Sequence, residues 1–187
     1  MPKVIKLPDK GKAIIASDFH GNWEDFKKIE DKFLQDADVH FIIAGDVLDR
    51  GLYSEQILNE IMKLKKERSD EVHLLMGNHE WGYVSGGGHS PCDFLHQMLQ
   101  EYGEIPQEYV DFLSSLPLAV VANRIIMLHA GPSSLTRSIK DINGVEDERA
   151  INGLVWNDPD SSQDMYVPNV RRTGDKETAR QLGIEMY

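Results

Sequence analysis

The sequence predicts an α/β fold in which two mixed β-sheets pack face to face and are flanked by helices. Short apolar runs of strand length alternate with segments whose apolar residues recur at helical spacing, which is typical of strand–helix–strand units. A hairpin follows these units, and a hairpin adds antiparallel pairing to a sheet that is otherwise parallel. These two patterns together favour mixed sheets with helices outside.

Each predicted strand is followed at once by a short polar cluster. The apolar runs occupy residues 13–16, 41–44, 72–76 and 125–128. The clusters after them are SDFHG at 17–21, GDVLDRG at 45–51, GNHE at 77–80 and HAG at 129–131. Ligands of open α/β sheets bind beyond the carboxyl ends of the strands, so we expect these clusters to meet at one edge.

The helices between the strands are predicted from apolar stripes. One stripe is formed by Trp23, Phe26, Phe33 and Leu34, and the next by Ile57, Leu58, Ile61 and Leu64. Ser54 is expected to cap the second helix, and Pro106 suits the first turn of a short third helix. A further helix is expected over residues 175–182, after which residues 184–187 alternate like the start of a strand.

The connections are predicted from turn residues. Asn123 and Arg124 predict a hairpin between residues 118–122 and 125–128, since asparagine tolerates positive φ. Glycine-rich residues 85–91 are expected to form a loop. Residues 133–173 are expected to be rich in loops of the kind that often select substrates.

Composition limits the classes of function. The chain has 187 residues and a hydrophobic content of 41%, which fits one domain over residues 1–187. Its formal net charge of -11 argues against nucleic-acid and membrane partners, because both require clustered lysine and arginine. Cys92 is the only cysteine, and no segment has the length of a signal peptide or membrane span. We therefore expect a cytoplasmic protein, of unpredicted oligomeric state.

The polar clusters predict two metal shells. Asp18 and His20 stand two apart, where extended backbone directs both side chains the same way, so they can share one cation. The carboxylate of Asp46 can bridge two metals. Asn78 and His129 supply an amide oxygen and an imidazole nitrogen to the second metal. These donors suit two divalent metal ions, manganese above all, or iron or zinc, rather than calcium.

The same clusters predict a phosphate site. Two cations about 3.5 to 4 Å apart lower the pKa of a shared water and clamp a phosphate during in-line displacement. Arg50 can hold phosphate oxygens through its planar fork, and Asn78 is also counted among the residues that contact the substrate. His79 is the candidate acid for the leaving alkoxide, with Asp49 to orient it and raise its pKa.

Taken singly, these residues have ordinary structural explanations. Asp18 could be a turn residue or a helix cap, His129 a buried core histidine, and GDVLDRG an ordinary strand-to-helix loop. Four strand ends that all carry ligand-type residues favour a metal site over these alternatives. Such placement is lacking at His40, His73, His89 and His96.

The four clusters resemble, in identity, order and spacing, the signature of the phosphoprotein phosphatase family of metallophosphoesterases. The resemblance runs from residue 12 onwards, and GLVWNDPD at 153–160 is similar to the family's tryptophan and Asp-Pro segment. It implies a β-sandwich flanked by helices, a dinuclear metal centre, and attack on phosphomonoesters by a metal-bridging hydroxide. It also implies a second phosphate-binding arginine, which is Arg172 or, alternatively, Arg171.

One residue of the family signature has no counterpart. The family completes the second metal shell with a further histidine at the end of the next strand, but this sequence stops at Tyr187, where that strand would begin. We therefore expect a domain that lacks its C-terminal strands, either because the chain is truncated or because the second metal site is deficient.

The favoured function is a metal-dependent phosphatase that acts on phosphoserine or phosphothreonine in proteins, or on a small phosphoester. A hydrolase of dinucleoside polyphosphates such as diadenosine tetraphosphate resembles the same pattern and stays open as an alternative. The missing histidine motivates a third interpretation, a non-catalytic phosphate-binding or interaction domain.

Overall fold

A computed structural model describes residues 2–86, 90–131 and 133–157. The elements are β1 (Val4–Lys6), β2 (Lys12–Ala16), α1 (Trp23–Gln35), β3 (Val39–Ile43), α2 (Ser54–Glu67), β4 (Val72–Leu74), α3 (Asn78–Ser85), α4 (Asp93–Tyr102), α5 (Gln107–Ser114), β5 (Ala119–Ala122), β6 (Ile125–Leu128), α6 (Ile139–Asn143) and α7 (Glu148–Trp156). They form two compact units: one is Gly11–Leu116, and the other takes described residues on either side of it. A mixed α/β fold with two sheets and flanking helices is confirmed. The assignment of residues 1–187 to a single domain stays a prediction.

The Gly11–Leu116 unit contains a sheet of order β2-β3-β4. Its described strands all run parallel, with Ala16 paired to Ile43 and Ile43 paired to Leu74. This register aligns the carboxyl ends of the three strands. The segments that follow them, which contain SDFHG, GDVLDRG and GNHE, therefore leave the sheet at one edge.

Helices α1 and α2 bury their apolar stripes in this unit. Phe26 and Phe33 of α1 pack against Phe41 of β3, with ring centroids 6.4 Å and 5.3 Å apart. The buried residues of α2 include Ile57, Leu58, Ile61 and Leu64, as expected. Leu34 was predicted to share the stripe of α1 but is 51% exposed, because it is turned about 100° from Phe33 around the helix axis.

Two details of the helix ends differ from the sequence prediction. Ser54 was expected to cap α2, but it is the first helical residue, and Tyr53 occupies the N-cap position without a side-chain hydrogen bond. The prediction of Ser54 as the cap is therefore wrong by one position. Pro106, expected in the first turn of the short helix, lies at the N-cap of α5.

The other unit contains a mixed sheet of order β1-β5-β6. Strand β5 pairs with β1 in parallel and with β6 in antiparallel fashion. Asn123 and Arg124 join β5 to β6 with φ angles of 47° and 65°, which confirms the predicted hairpin. His129 directly follows β6.

Helix α7 lies in the region that was expected to be rich in loops. The Asp147 side chain caps it by accepting hydrogen bonds from the backbone N–H groups of Arg149 and Ala150. Ile151 and Leu154 are buried at helical spacing. Residues 158–187, which include Arg171, Arg172 and the helix expected over 175–182, lie outside the described residues. Within the described part, no helix is long and apolar enough to cross a membrane.

Candidate metal centre and phosphate site

The loops after β2 and β3 continue the pairing of their strands. The backbone N–H of Asp18 donates to the carbonyl of Gly45 (3.1 Å), and that of His20 donates to the carbonyl of Asp46 (3.0 Å). The two predicted metal-binding loops are thereby fixed to each other by backbone hydrogen bonds. This explains how two short sequence motifs, 28 positions apart at Asp18 and Asp46, present ligand atoms to one place.

Two glycines allow the loops to approach so closely. A Cβ on Gly21 would lie 2.6 Å from the carbonyl carbon of Gly51, and a Cβ on Gly51 would lie 2.4 Å from the carbonyl oxygen of His20. No larger residue fits at this crossing without moving backbone. Both glycines of the SDFHG and GDVLDRG motifs are therefore explained by packing.

The Glu80 carboxylate organises the loop that carries Asp46. Oε2 accepts hydrogen bonds from the backbone N–H groups of Asp46 (2.8 Å) and Gly77 (3.1 Å). Oε1 accepts from Val47 (2.9 Å) and, at longer range, from Leu48 (3.4 Å). Glu80 is fully buried, and a buried carboxylate is tolerated where several donors satisfy it.

The ring of His20 faces two carboxylates without hydrogen-bonding to either. Its Nδ1 lies 2.8 Å from the carbonyl oxygen of Leu48, and because a carbonyl only accepts, Nδ1 is the donor in this contact and Nε2 is the ring nitrogen that faces the carboxylates. None of the described residues hydrogen-bonds to Nε2, which is buried. It lies 3.5 Å from Asp46 Oδ2 and 3.7 Å from Asp18 Oδ1. A ring nitrogen and two carboxylates at these distances from one another provide the kind of donor set that binds a divalent cation.

His79 completes a cluster that could hold a metal ion. The ligand atoms of His20, Asp46 and His79 all lie within 4.8 Å of one another. The backbone N–H of His79 donates to Asp46 Oδ1 (3.1 Å), while Oδ2 of the same carboxylate lies 4.0 Å from His79 Nε2. This cluster therefore fits a cation, of unassigned identity.

Asp49 lies behind His79 and fixes its ring. His79 Nδ1 donates to Asp49 Oδ2 at 2.6 Å, and both side chains are buried. Burial is the largest single influence on the pKa of His79 and lowers it. The hydrogen bond to Asp49, with the charges of Asp46, Asp49 and Glu80, outweighs burial and raises this pKa above its ordinary value. The ring is thus held with Nε2 as a potential proton donor.

The N-terminus of α4 holds both Asp49 and Arg50. The backbone N–H of Phe94 donates to Asp49 Oδ1 (2.9 Å), and the carboxylate of Asp93 accepts from the backbone N–H of Arg50 (3.0 Å). Asp49 Oδ1 also accepts from the hydroxyl of Tyr83 at 2.6 Å. Arg50 itself is exposed, as a residue that reaches for a phosphate would be.

Unusual backbone conformations concentrate at these loops. Among the described non-glycine residues, eight have positive φ, and five of the eight are predicted site residues: Asp18, His20, Asp46, Asp49 and Arg50. Such conformations cost about 1–3 kcal/mol each and persist where the surroundings over-determine them. The hydrogen bonds of Glu80 and α4 fix Asp46, Asp49 and Arg50, and the backbone hydrogen bonds to Gly45 and Asp46 fix the loop of Asp18 and His20. The extended backbone expected at Asp18 and His20 is therefore wrong.

The structure therefore brings together Asp18, His20, Asp46 and His79, and places Asp49 against His79. Asn78 is buried as the first residue of α3, immediately before His79. The ligand and catalytic roles assigned to all of these residues, and to His129, stay predictions.

Sequence reasoning gave no role to two residues that carry much of this geometry, Glu80 and Tyr83. For Glu80 a signal existed, since glutamate at the third position of a helix commonly accepts from the N-cap N–H. No comparable pattern indicated Tyr83.

Comparison with known proteins gives a consistent result. The calcineurin-like phosphoesterase family matches residues 11–180. Serine/threonine-protein phosphatase 2B catalytic subunit A1 of Saccharomyces cerevisiae is 29% identical over an alignment 192 residues long. The alignment covers 91% of this chain and 34% of that protein. The chain spans about a third of the length of the curated relatives it matches: 34% of subunit A1 and 28% of catalytic subunit A2 of the same yeast phosphatase.

Solved structures agree on the fold. A protein serine/threonine phosphatase from Saccharomyces cerevisiae, with similarity to human phosphatase PP5, matches with a TM-score of 0.75 and 22% identity, over 98% of this chain and 62% of that one. A cold-active protein-tyrosine phosphatase of a psychrophilic Shewanella species matches with a TM-score of 0.54 and 25% identity, over 72% and 45%. With a family match over most of its length and these likenesses beside it, the chain belongs to the calcineurin-like phosphoesterases.

Proposed function

We propose that this protein is a metal-dependent phosphatase that hydrolyses phosphomonoesters. The observation that carries the proposal is the placement of His20 Nε2, which is buried 3.5 Å and 3.7 Å from the carboxylates of Asp46 and Asp18. Three ligand-type groups that lie this close together would form a binding site for a cation.

Asp18, His20 and Asp46 would hold a first divalent cation. The second cation, for which the sequence predicts Asn78 and His129 as ligands, stays a prediction. Manganese is the proposed metal, with iron and zinc as the other candidates, because the donors are nitrogen and oxygen without thiolate. Bound there, the cations would supply an activated water and neutralise charge on the phosphate.

The residues of the chain have separable roles. Arg50, whose backbone is fixed by Asp93 (3.0 Å), would bind phosphate oxygens through its guanidinium. His79, held by Asp49 at 2.6 Å, would donate a proton from Nε2 to the leaving oxygen. The hydrogen bond from Nδ1 to Asp49 fixes the ring and leaves Nε2 to act as the donor. Arg172 is proposed as the second phosphate ligand.

Phosphoserine and phosphothreonine in proteins are the proposed substrates. The similarity to a yeast serine/threonine phosphatase supports this choice. A phosphotyrosine substrate is the second candidate, because a solved protein-tyrosine phosphatase is 25% identical. The cleavage of dinucleoside polyphosphates would use the same metals and stays as a further alternative.

One experiment separates these substrates. The manganese-loaded protein is given peptides of identical sequence that carry phosphoserine, phosphothreonine or phosphotyrosine, and diadenosine tetraphosphate at the same concentration. We expect the highest kcat/KM for phosphoserine or phosphothreonine. A clear preference for the dinucleotide, or for phosphotyrosine, would overturn the substrate assignment while keeping the hydrolytic chemistry.

A pair of matched variants tests the site itself. Asp46→Asn removes the central carboxylate, whereas Asp38→Asn makes the same change at another positive-φ aspartate, in the turn between α1 and β3. Metal analysis should find bound manganese in the native protein and in Asp38→Asn, and a loss of metal and turnover in Asp46→Asn. If the native protein binds phosphate but binds no metal and turns over no substrate, the non-catalytic interpretation would be favoured.

A further inference from the structure

The hydroxyl of Tyr83 is bound to the same carboxylate that holds His79. It lies 2.6 Å from Asp49 Oδ1, while His79 Nδ1 lies 2.6 Å from Asp49 Oδ2. One carboxylate therefore links the phenol and the imidazole through its two oxygens. Because both groups bind the same carboxylate, a change in the hydrogen bond from the phenol alters the orientation of the carboxylate. The alignment of the carboxylate with the imidazole then changes as well.

Several contacts fix Tyr83 in this position. Its ring packs edge-on against Phe94, with centroids 5.4 Å apart. Its hydroxyl oxygen accepts from the backbone N–H of Leu95 (3.3 Å), one residue after the N–H of Phe94 that donates to Asp49 (2.9 Å). Burial, followed by the hydrogen bond to Asp49, raises the pKa of Tyr83, so the hydroxyl keeps its proton and acts as a donor.

We propose that Tyr83 is a positioning residue for proton transfer by His79, acting through Asp49. The inference rests on the proposed phosphatase function for its kinetic part only. By holding the carboxylate from the side opposite His79, the phenol keeps the imidazole aimed at the leaving oxygen. Its removal leaves the metal ligands and the phosphate ligand Arg50 in place.

The consequence is selective for the leaving group. Protonation matters most when the departing alkoxide is a strong base, and it matters little for p-nitrophenolate, which leaves without help. Loss of Tyr83 should therefore slow hydrolysis of a phosphoserine peptide far more than hydrolysis of p-nitrophenyl phosphate, with KM unchanged for both.

The test compares Tyr83→Phe with Tyr109→Phe. Tyr109 is a matched control, since its hydroxyl also donates to a carboxylate, Glu55 Oε1 at 2.8 Å, in the same unit. We expect Tyr83→Phe to lose about 10-fold in kcat on the phosphoserine peptide, part of the roughly 100-fold or more that general acid catalysis contributes, and less than about 3-fold on p-nitrophenyl phosphate. Tyr109→Phe should behave as the native enzyme on both. An equal loss on both substrates, or no loss, would overturn the proposal.

A second measurement needs no activity. In the metal-free protein, the nuclear magnetic resonance signal of the His79 Nδ1 proton reports its hydrogen bond to Asp49. We expect this signal to shift and to exchange faster with water in Tyr83→Phe, and to be unchanged in Tyr109→Phe. An unchanged signal in Tyr83→Phe would refute the positioning role. A native protein without turnover would refute the proposed function instead, and the signal would still decide the role of Tyr83.

Discussion

Replacing Glu80 with glutamine would test whether a buried carboxylate organises the loop that carries Asp46. The two side chains have nearly the same volume, so the change leaves no cavity. It converts one acceptor oxygen into an amide that donates, and that amide would face backbone N–H groups. Glu80 now accepts from the N–H groups of Asp46, Val47 and Gly77 at 2.8 to 3.1 Å, and from Leu48 at 3.4 Å.

The size of the effect follows from these contacts. Each carboxylate oxygen of Glu80 accepts from two backbone N–H groups. In either orientation of the glutamine amide, its NH2 group replaces one of these oxygens, and the two N–H groups there lose their acceptor while they stay buried. A buried donor left without an acceptor costs about 1–3 kcal/mol, so we expect a loss of about 2–5 kcal/mol in the free energy of unfolding. Misplacement of Asp46 should also weaken manganese binding by roughly 10- to 100-fold, as changes behind metal ligands commonly do.

Urea unfolding and manganese titration measure the two effects. Glu104→Gln is the matched control, because Glu104 is exposed, and it should alter stability by no more than about 0.5 kcal/mol. The reasoning is refuted if Glu80→Gln unfolds within that margin of the native protein and binds manganese as tightly.

Three other experiments have outcomes that follow from the structure. A Cβ at Gly77 would lie 2.3 Å from Asp46 Oδ1, whereas for one at Gly144 the nearest atom among the described residues would be the Lys140 carbonyl oxygen, at 3.4 Å. Urea titration should find Gly77→Ala destabilised by about 1–3 kcal/mol and Gly144→Ala unchanged, and equal stabilities would contradict this. Burial lowers the pKa of His73 to about 4, so the unfolded chain binds more protons between pH 4 and about 6.5, and the free energy of unfolding should fall by about 2–3 kcal/mol as the pH drops through that window. His73→Gln should reduce this dependence of the free energy of unfolding on pH, and an unaltered dependence would disprove the role of His73. Manganese at 100 times its Kd should stabilise metal-free protein by about 2.7 kcal/mol in thermal unfolding, an effect that His20→Ala should remove; the same gain in both proteins would exclude His20 as a ligand.

The positions of Asp18, His20 and Asp46 were predictable because strand ends are visible in the sequence. An apolar run followed by a polar cluster marks the end of a buried strand, and parallel strands bring such ends to one edge. The register of β2, β3 and β4 confirms that step. The sequence-level inference needed only local pattern and one general rule of topology.

Glu80 and Tyr83 were missed for the opposite reason. Their partners lie 34 positions away along the chain, at Asp46 and Asp49. Their roles depend on how α3 packs against the loop that follows β3, and the local sequence pattern does not predict that packing. Similarly, Leu34 satisfied the hydrophobic pattern of α1 but is 51% exposed, because burial depends on the width of the face that the sheet covers.

The supporting contacts and the strained backbone belong to one physical arrangement. Asp46 and Asp49 hold positive φ, and each lies beside a buried group that fixes it: Glu80 accepts from the N–H of Asp46, and Tyr83 donates to the carboxylate of Asp49. A loop left to relax would lose these conformations, since each costs about 1–3 kcal/mol. The hydrogen bonds of the folded unit meet that cost before a cation arrives. In the proposed metal-bound protein, binding energy from the metal would then be available to hold the phosphate rather than to order the loop.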